Sequence, residues 1–178
     1  IGVMELNSVA AGIACGDTMM KSANVELLTA QPVCAGKYQI VVRGLVADVA
    51  ASVEAGRISA ADSYVDDTVL ARVDPRVGAA LAGATDIETG SSVGIIETFS
   101  LAASIRAADV AVKTAGVELI EIRLGRGLGG KAFVVLTGDV GSVNASVESV
   151  TGALGETGMI ARTAIIPSLH ADMMKALF

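Results

Sequence analysis

Residues 2–28 read GVMELNSVAAGIACGDTMMKSANVELL, and residues 94–120 read GIIETFSLAASIRAADVAVKTAGVELI. A shift of 92 residues aligns the two stretches, and about 12 of the 27 aligned positions are identical, far more than chance gives even in a chain rich in Ala and Val. A shift of 94 residues aligns the chain from Gly36 onward with the chain from Gly130 onward, so the second copy has two more residues in the loop between Ile120 and Gly130. The chain is therefore a tandem repeat of one domain.

Each copy predicts the same order of elements, βαββαβα. The predicted strands span residues 2–6, 25–30, 38–43 and 65–73 in the first copy, and 93–97, 117–124, 132–137 and 159–166 in the second. Ser8 and Ser100 are the predicted N-caps of the first helices, the second helices span about 46–56 and 140–154, and a short helix ends each copy. This order predicts an α+β fold with helices against an antiparallel sheet, a variant of the ferredoxin-like arrangement.

Composition narrows the class of protein. The chain has 178 residues, of which 52% are hydrophobic, and a formal net charge of −6. The longest uncharged run, residues 6–16, falls short of the roughly 18 apolar residues of a membrane span, and no basic run predicts phosphate binding. Two cysteines do not make a disulfide framework. We therefore expect a cytoplasmic protein with reduced thiols that binds neither membranes nor nucleic acid.

Four short stretches point to a known family. They are residues 2–5 (GVME), 17–25 (DTMMKSANV), 41–44 (VVRG) and 165–170 (IIPSLH). Together they resemble the bacterial microcompartment shell domain, and the repeat resembles the tandem-domain trimer class of shell protein. The first domain is then residues 1–84, the linker 85–92 and the second domain 93–178. The resemblance implies a homotrimer that forms a flat pseudohexamer, a tile that packs with other shell proteins around metabolic enzymes.

Cys34 is the residue for which the resemblance has the most specific implication. The stretch PVCAGK, residues 32–37, is similar to the iron–sulfur shell proteins of propanediol-utilisation compartments. In that group the cysteine lies on a loop at the central pore, so a trimer brings three Cys34 thiolates together. The resemblance thus implies one [4Fe–4S] cluster per trimer, ligated by Cys34 of three chains. An ordinary loop thiol is the alternative. Cys15 lies within the first helix, where a buried structural thiol is expected.

The stretch GRGLGGK, residues 125–131, matches the GxxxxGK part of a phosphate-binding loop. Ala132 stands where that motif needs Ser or Thr, and a strand rather than a helix comes next, so we expect no nucleotide site. A second pore loop is the favoured interpretation, and Arg126 either attracts anions there or is solvated. The predicted pore-loop residues are Val33, Ala35 and Gly36 in the first copy and Gly125, Arg126, Gly127, Leu128 and Gly129 in the second.

Four residues are predicted to lie at the tile edge by resemblance. Lys21 and Lys113 occupy equivalent helix positions, Arg72 matches an edge arginine, and His170 belongs to a Pro-x-x-His tail. Ser168 stands in the second copy where Arg72 stands in the first, so the edges need not bond alike. No nucleophile or carboxylate pattern surrounds His170, and we expect no enzyme activity.

The resulting hypothesis is a shell tile with a cluster at its pore that passes electrons across the shell, with encapsulated redox enzymes as candidate partners. Two alternatives remain open. One is a tile without a cluster whose pore conducts metabolites. The other is a soluble trimeric regulatory protein that binds a small anion at the glycine loop.

Overall fold

The computed structural model describes residues 1–86, 91–124 and 127–175. The first copy contains β1 (Gly2–Leu6), α1 (Val9–Ser22), β2 (Val25–Val33), β3 (Lys37–Gly44), α2 (Val46–Ala60), β4 (Tyr64–Val69) and α3 (Pro75–Leu81). The second contains β5 (Ser92–Thr98), α4 (Leu101–Thr114), β6 (Val117–Leu124), β7 (Ala132–Gly138), α5 (Val140–Leu154), β8 (Ile160–Ile166) and α6 (Ala171–Lys175). The predicted α+β order βαββαβα is confirmed in both copies.

Each copy forms one antiparallel sheet of four strands. The strand order is β2-β3-β1-β4 in the first sheet and β6-β7-β5-β8 in the second. The register repeats as well, because Val3 pairs with Val41 in the first sheet as Ile95 pairs with Val135 in the second. Among the described residues, no helix is long and apolar enough to cross a membrane.

The predicted N-caps are confirmed. The Ser8 hydroxyl accepts a hydrogen bond from the Ala11 N–H, and the Ser100 hydroxyl accepts one from the Ala103 N–H. In both copies the serine has extended backbone and satisfies one of the N–H groups that a helix start leaves without an intrahelical acceptor. The same local signal therefore begins α1 and α4.

Three predicted element ends are wrong in the first copy. The second strand was expected to end at residue 30, but β2 continues to Val33 because it stays paired with β3 up to the Cys34 turn. The fourth strand was expected over residues 65–73, but β4 ends at Val69 because its partner β1 begins at Gly2, which pairs with Val69. The second helix was expected to end near Gly56 but continues to Ala60. Gly56 is a point of close helix contact, since a Cβ there would lie 2.8 Å from the Met19 side chain.

Each sheet has two faces with different partners. Met4, Leu6 and Ile40 of the first sheet pack with α1 and α2 in a core of their own. The opposite face, which we call the outer face of the first sheet, carries Val3, Glu5 and Val41 and belongs to the same core as α3 and α4. The outer face of the second sheet carries the counterparts Ile95, Glu97 and Val135. The two domains of one chain thus share a continuous apolar core.

The first residue of the predicted linker, Thr85, contacts the second sheet. The Thr85 hydroxyl donates to the Ile120 carbonyl oxygen over 2.8 Å, and β5 begins at Ser92. Residues 87–90 of the predicted linker 85–92 lie outside the described residues.

Candidate functional site

Cys34 opens the tight turn between β2 and β3. The strands pair as far as Val33 and Lys37, and a single 3₁₀ turn over Cys34–Gly36 joins them. Ala35 and Gly36 have positive φ values of 63° and 73°. A non-glycine residue in this region is uncommon, and here the turn directs the partly exposed Cys34 to the end of the hairpin.

The glycine loop of the second copy lies against that turn. The Gly127 N–H donates a hydrogen bond to Cys34 Sγ over 2.8 Å, although 93 residues separate the two in the chain. Gly127, Gly129 and Gly130 all have positive φ, a backbone conformation that favours glycine. The structure therefore brings the two predicted pore loops together within one chain.

Lys37 connects the two loops. Its ammonium donates to the carbonyl oxygens of Phe99 at 2.8 Å and Gly130 at 2.7 Å, and it pairs with a Glu5 carboxylate oxygen at 2.8 Å. Gly130 has a φ of 86°, which favours glycine, and a Cβ there would lie 3.3 Å from Lys37 Cε. Burial raises the pKa of Glu5, and the adjacent Lys37 opposes that rise.

A buried polar network continues from Glu5 along the domain contact. The Leu101 N–H, at the start of α4, donates to Glu5 over 2.6 Å. The Ser100 hydroxyl donates to Asp66, and Arg106 pairs with Asp66 over 2.9 Å. We call this contact the closed junction; it consists of Glu5, Lys37 and Asp66 from the first copy and Ser100, Leu101 and Arg106 from the second.

The sequence analysis missed Asp66 and Arg106. A signal was present, because Arg106 interrupts an Ala-rich helix at the position where the first copy has Ala14. A charge on the apolar stripe of a helix indicates a specific partner rather than solvent. The partner itself, on a strand of the other copy, could not be read from the sequence.

The counterparts of the closed junction are exposed. Glu97 is 41% exposed and pairs with Lys131 at 3.7 Å, whereas its counterpart Glu5 is 2% exposed. Arg162 occupies the register position of Asp66, since it pairs with Glu97 as Asp66 pairs with Glu5. On the helix side, Ile13 of α1 is exposed.

The four residues assigned to the tile edge lie at three places in the structure. Lys21 forms an exposed pair with Asp17 at 2.6 Å, and His170 is exposed near α6. Lys113 links the two domains of the chain. Its ammonium donates to Asp109 in the second domain and to the Arg72 carbonyl oxygen in the first, each at 2.5 Å. Only Lys113 and Arg72 are thus brought together, and their role at a tile edge stays a prediction.

The remaining predicted site residues fall into two groups. Val33 ends β2, and Leu128 and Gly129 lie in the glycine turn. Gly125 and Arg126 lie outside the described residues.

Within the part of the chain that the structure describes, no three His, Cys, Asp or Glu side chains cluster as a metal site. Cys15 is buried, and burial raises its pKa to about 11.

Comparison with known families fits the repeated architecture. The family model of the BMC domain matches residues 1–73 and again residues 92–169. The chain belongs to the BMC domain family. The bacterial microcompartment shell protein PduT of Citrobacter freundii is 38% identical over 99% of this chain and 96% of its own length. The carboxysome assembly protein CcmO of Synechococcus elongatus is 30% identical over 99% of this chain and 68% of its own length.

Solved structures agree with this assignment. A microcompartment protein from Desulfitobacterium hafniense has 48% sequence identity and a TM-score of 0.84, covering 98% of this chain and 97% of its own. A fused permuted hexameric shell protein from the RMM microcompartment has 20% identity and a TM-score of 0.65, covering 86% of this chain and 82% of its own. The second likeness shows the fold alone.

Proposed function

We propose that this BMC chain is a structural shell protein of a bacterial microcompartment, a homotrimeric tile with a [4Fe–4S] cluster at its central pore. The two BMC domains and the full-length similarity to a shell protein named PduT support the structural role. The Cys34 turn, joined to the glycine loop by the Gly127 N–H, is the observation that carries the cluster.

Homotrimer formation is supported by a sheet–helix interface that forms once within the chain and whose second pair of surfaces could meet only between chains. The outer face of the first sheet is covered by α4 of the same chain. On the matching face of the second sheet, Val93 and Val135 are covered by Leu169 and Met174, while Glu97, Arg162 and the matching helix residue Ile13 stay exposed and available to another chain. A repeated heterologous contact of this kind produces either a ring or an open filament. A ring of three chains contains six domains, which gives a pseudohexagonal tile that packs with other shell proteins.

The donor chemistry of the site fits an iron–sulfur cluster shared between chains. Cys34 is partly exposed and lies at the end of a hairpin, so one chain offers one accessible thiol. Thiolates are the ligands that these clusters take, and three chains around an axis would supply three. Gly127 would donate its N–H to each ligating sulfur, and hydrogen bonds to sulfur are among the factors that set a cluster's reduction potential.

The surrounding residues hold the sulfur in place. Lys37 comes immediately after the turn and contacts Glu5, Phe99 and Gly130, so the hairpin is bound to the second copy directly beside Cys34. A bound cluster would supply one-electron transfer through the tile. Encapsulated redox enzymes would then be partners that exchange those electrons.

The test is the iron and acid-labile sulfide content of anaerobically purified protein, together with its native mass. We expect about four iron and four sulfide per trimer, lost in Cys34→Ser. Cys15→Ala is the matched control, because Cys15 is buried and the second copy has Ala107 at the same position. Its cluster content should equal that of the wild type.

The outcomes separate the candidate functions. A trimer without iron after anaerobic reconstitution would overturn the cluster and leave a tile with an open pore for metabolites. Discrete trimers that form no sheets at low salt and bind a small anion tightly would instead indicate a regulatory protein.

A further inference from the structure

The chain contains one closed junction and the two separated halves of another. The closed junction pairs the outer face of the first sheet with α4. The separated halves are α1 and the exposed part of the outer face of the second sheet around Glu97 and Arg162; the Val93–Val135 part of that face is covered by Leu169 and Met174. Both halves are present on every chain. Four residues at the closed junction have counterparts of the same residue type in the separated halves. The pairs are Glu5 and Glu97, Lys37 and Lys131, Ser100 and Ser8, and Ile105 and Ile13.

One charged pair is not repeated. In the closed junction Arg106 of α4 pairs with Asp66 at 2.9 Å and donates to the Asp67 carbonyl oxygen at 3.0 Å. At the corresponding positions of the separated halves stand Ala14 on the helix and Arg162 on the strand. In the separated halves the basic residue, Arg162, therefore lies on the strand and not on the helix, and neither of the two positions holds an acidic residue.

This difference decides which helix each sheet accepts. If α4 of a second copy packed on the second sheet, Arg106 would face Arg162, and two like charges would be buried against each other. If α1 packed on the first sheet, Asp66 would face Ala14 and would be buried without its cation. Both of these pairings are therefore penalised.

The remaining pairing, α1 on the second sheet, carries no such penalty. Ala14 is exposed and small, so it leaves room for the Arg162 side chain. Arg162 is itself exposed and has no ion pair or hydrogen-bond partner among residues 1–86, 91–124 and 127–175. Its cross-strand neighbour Glu97 lies in register with it and offers a carboxylate within the same face.

We infer that Asp66–Arg106 and Arg162–Ala14 form a pairing code, in which the second sheet selects helix α1 of a second copy of this chain and rejects α4. The inference rests on the proposed homotrimer and names the contact that closes it. The partner that the open face fits is a BMC-type helix with a serine cap and a small uncharged residue at the position of Ala14.

The test changes Ala14, which is exposed in the single chain and does not contribute to its core. Ala14→Arg places a cation opposite Arg162 and is expected to shift the native mass from three chains to one, with the circular dichroism spectrum unchanged. Ala14→Gln is the control for size, and we expect it to remain trimeric. The double variant Ala14→Arg with Arg162→Asp rebuilds the closed-junction pair and should recover the trimer.

The outcomes distinguish this inference from the proposed homotrimer beneath it. A monomeric wild type overturns both. A trimeric wild type with a trimeric Ala14→Arg variant overturns the pairing code alone. The pairing code is also overturned if Ala14→Gln dissociates as fully as Ala14→Arg, or if Arg162→Asp fails to restore the trimer.

Discussion

Ile13 and Ile105 occupy the same position in the two copies, yet Ile13 is 59% exposed and Ile105 is fully buried. The two helices share their cap and their register, so the helices themselves do not account for the difference. Ile105 is covered because α4 packs against the first copy of the same chain. Equivalent residues of a tandem repeat can therefore differ in burial, because one helix packs against the other domain of its own chain and the equivalent helix does not.

The two helices also pack differently on their own sheets. In α1, Gly12 lies so close to β3 that a Cβ would be 2.4 Å from the Tyr38 Cβ. In α4 the same position is Ser104, whose hydroxyl hydrogen-bonds Thr98 over 2.8 Å. One copy thus packs by omitting a side chain and the other by a buried polar contact.

The largest expected effect comes from truncating the buried member of the isoleucine pair. Ile105→Ala should lower the free energy of unfolding by about 2–5 kcal/mol, because it leaves a cavity in the shared core. Chemical denaturation at several protein concentrations measures it, and the loss should appear at every concentration.

Ile13→Ala is the matched comparison. Because Ile13 is exposed in the single chain, its loss should act on association and should shift the unfolding midpoint in a concentration-dependent way. Equal, concentration-independent losses at both positions would contradict the view that only a second copy covers Ile13.

A somewhat smaller effect is expected from filling the close contact under α1. Gly12→Val should cost about 1–3 kcal/mol, because the new side chain meets Tyr38 with no room to move aside. Gly16→Ala is the control one turn further on, where a Cβ would lie 3.6 Å from Ile40, and it should stabilise by about 0.5–1 kcal/mol. Thermal unfolding of both variants measures these changes in stability. A Gly12→Val variant as stable as the wild type would contradict the close contact between Gly12 and Tyr38.

The helix caps should differ less. Ser8→Ala removes one N-cap hydrogen bond and should cost about 0.5–1 kcal/mol. Ser100→Ala also removes the hydroxyl that donates to the buried Asp66, and should cost about 1–2 kcal/mol. Equal losses in urea unfolding would show that the Asp66 contact adds nothing to the cap.

The smallest expected effect is a pH dependence that comes from Asp74 in the first copy. The Arg76 guanidinium lowers the pKa of Asp74 to about 2 from its usual 3.8. A carboxyl with a lowered pKa stabilises the fold above pH 3.8, and that contribution is lost as the pH falls towards 2. The corresponding position in the second copy is His170, so this carboxyl is not repeated there.

Asp74→Asn should therefore unfold more easily than the wild type at neutral pH, and the gap should close between pH 3.8 and 2. Unfolding midpoints across this range provide the measurement. A gap that stays constant with pH would mean that the Asp74 charge is not coupled to folding.

Local signals in the sequence predicted which helices and strands form, and where helices start, better than where the helices and strands end. Helix starts at Ser8 and Ser100 were readable because a cap acts within three residues. The end of β4 at Val69 was not, because it depends on where β1 begins, a contact made 67 residues away in the chain. Gly56 was taken as a helix end for the same reason, since its contact with Met19 belongs to packing between α1 and α2.

The tandem repeat and the βαββαβα order could be read from the chain alone, because identity at a fixed spacing and helix capping are local properties of a sequence. The family and the candidate thiol came from the resemblance of short stretches such as residues 32–37. The contacts of the Gly127 N–H with the Cys34 sulfur and of Arg106 with Asp66 are visible only in the tertiary structure. These pairs are 93 and 40 residues apart, and their contact depends on how two sheets and a helix pack. Two copies with the same local pattern therefore acquired different surroundings, one closed by its own chain and one open to another.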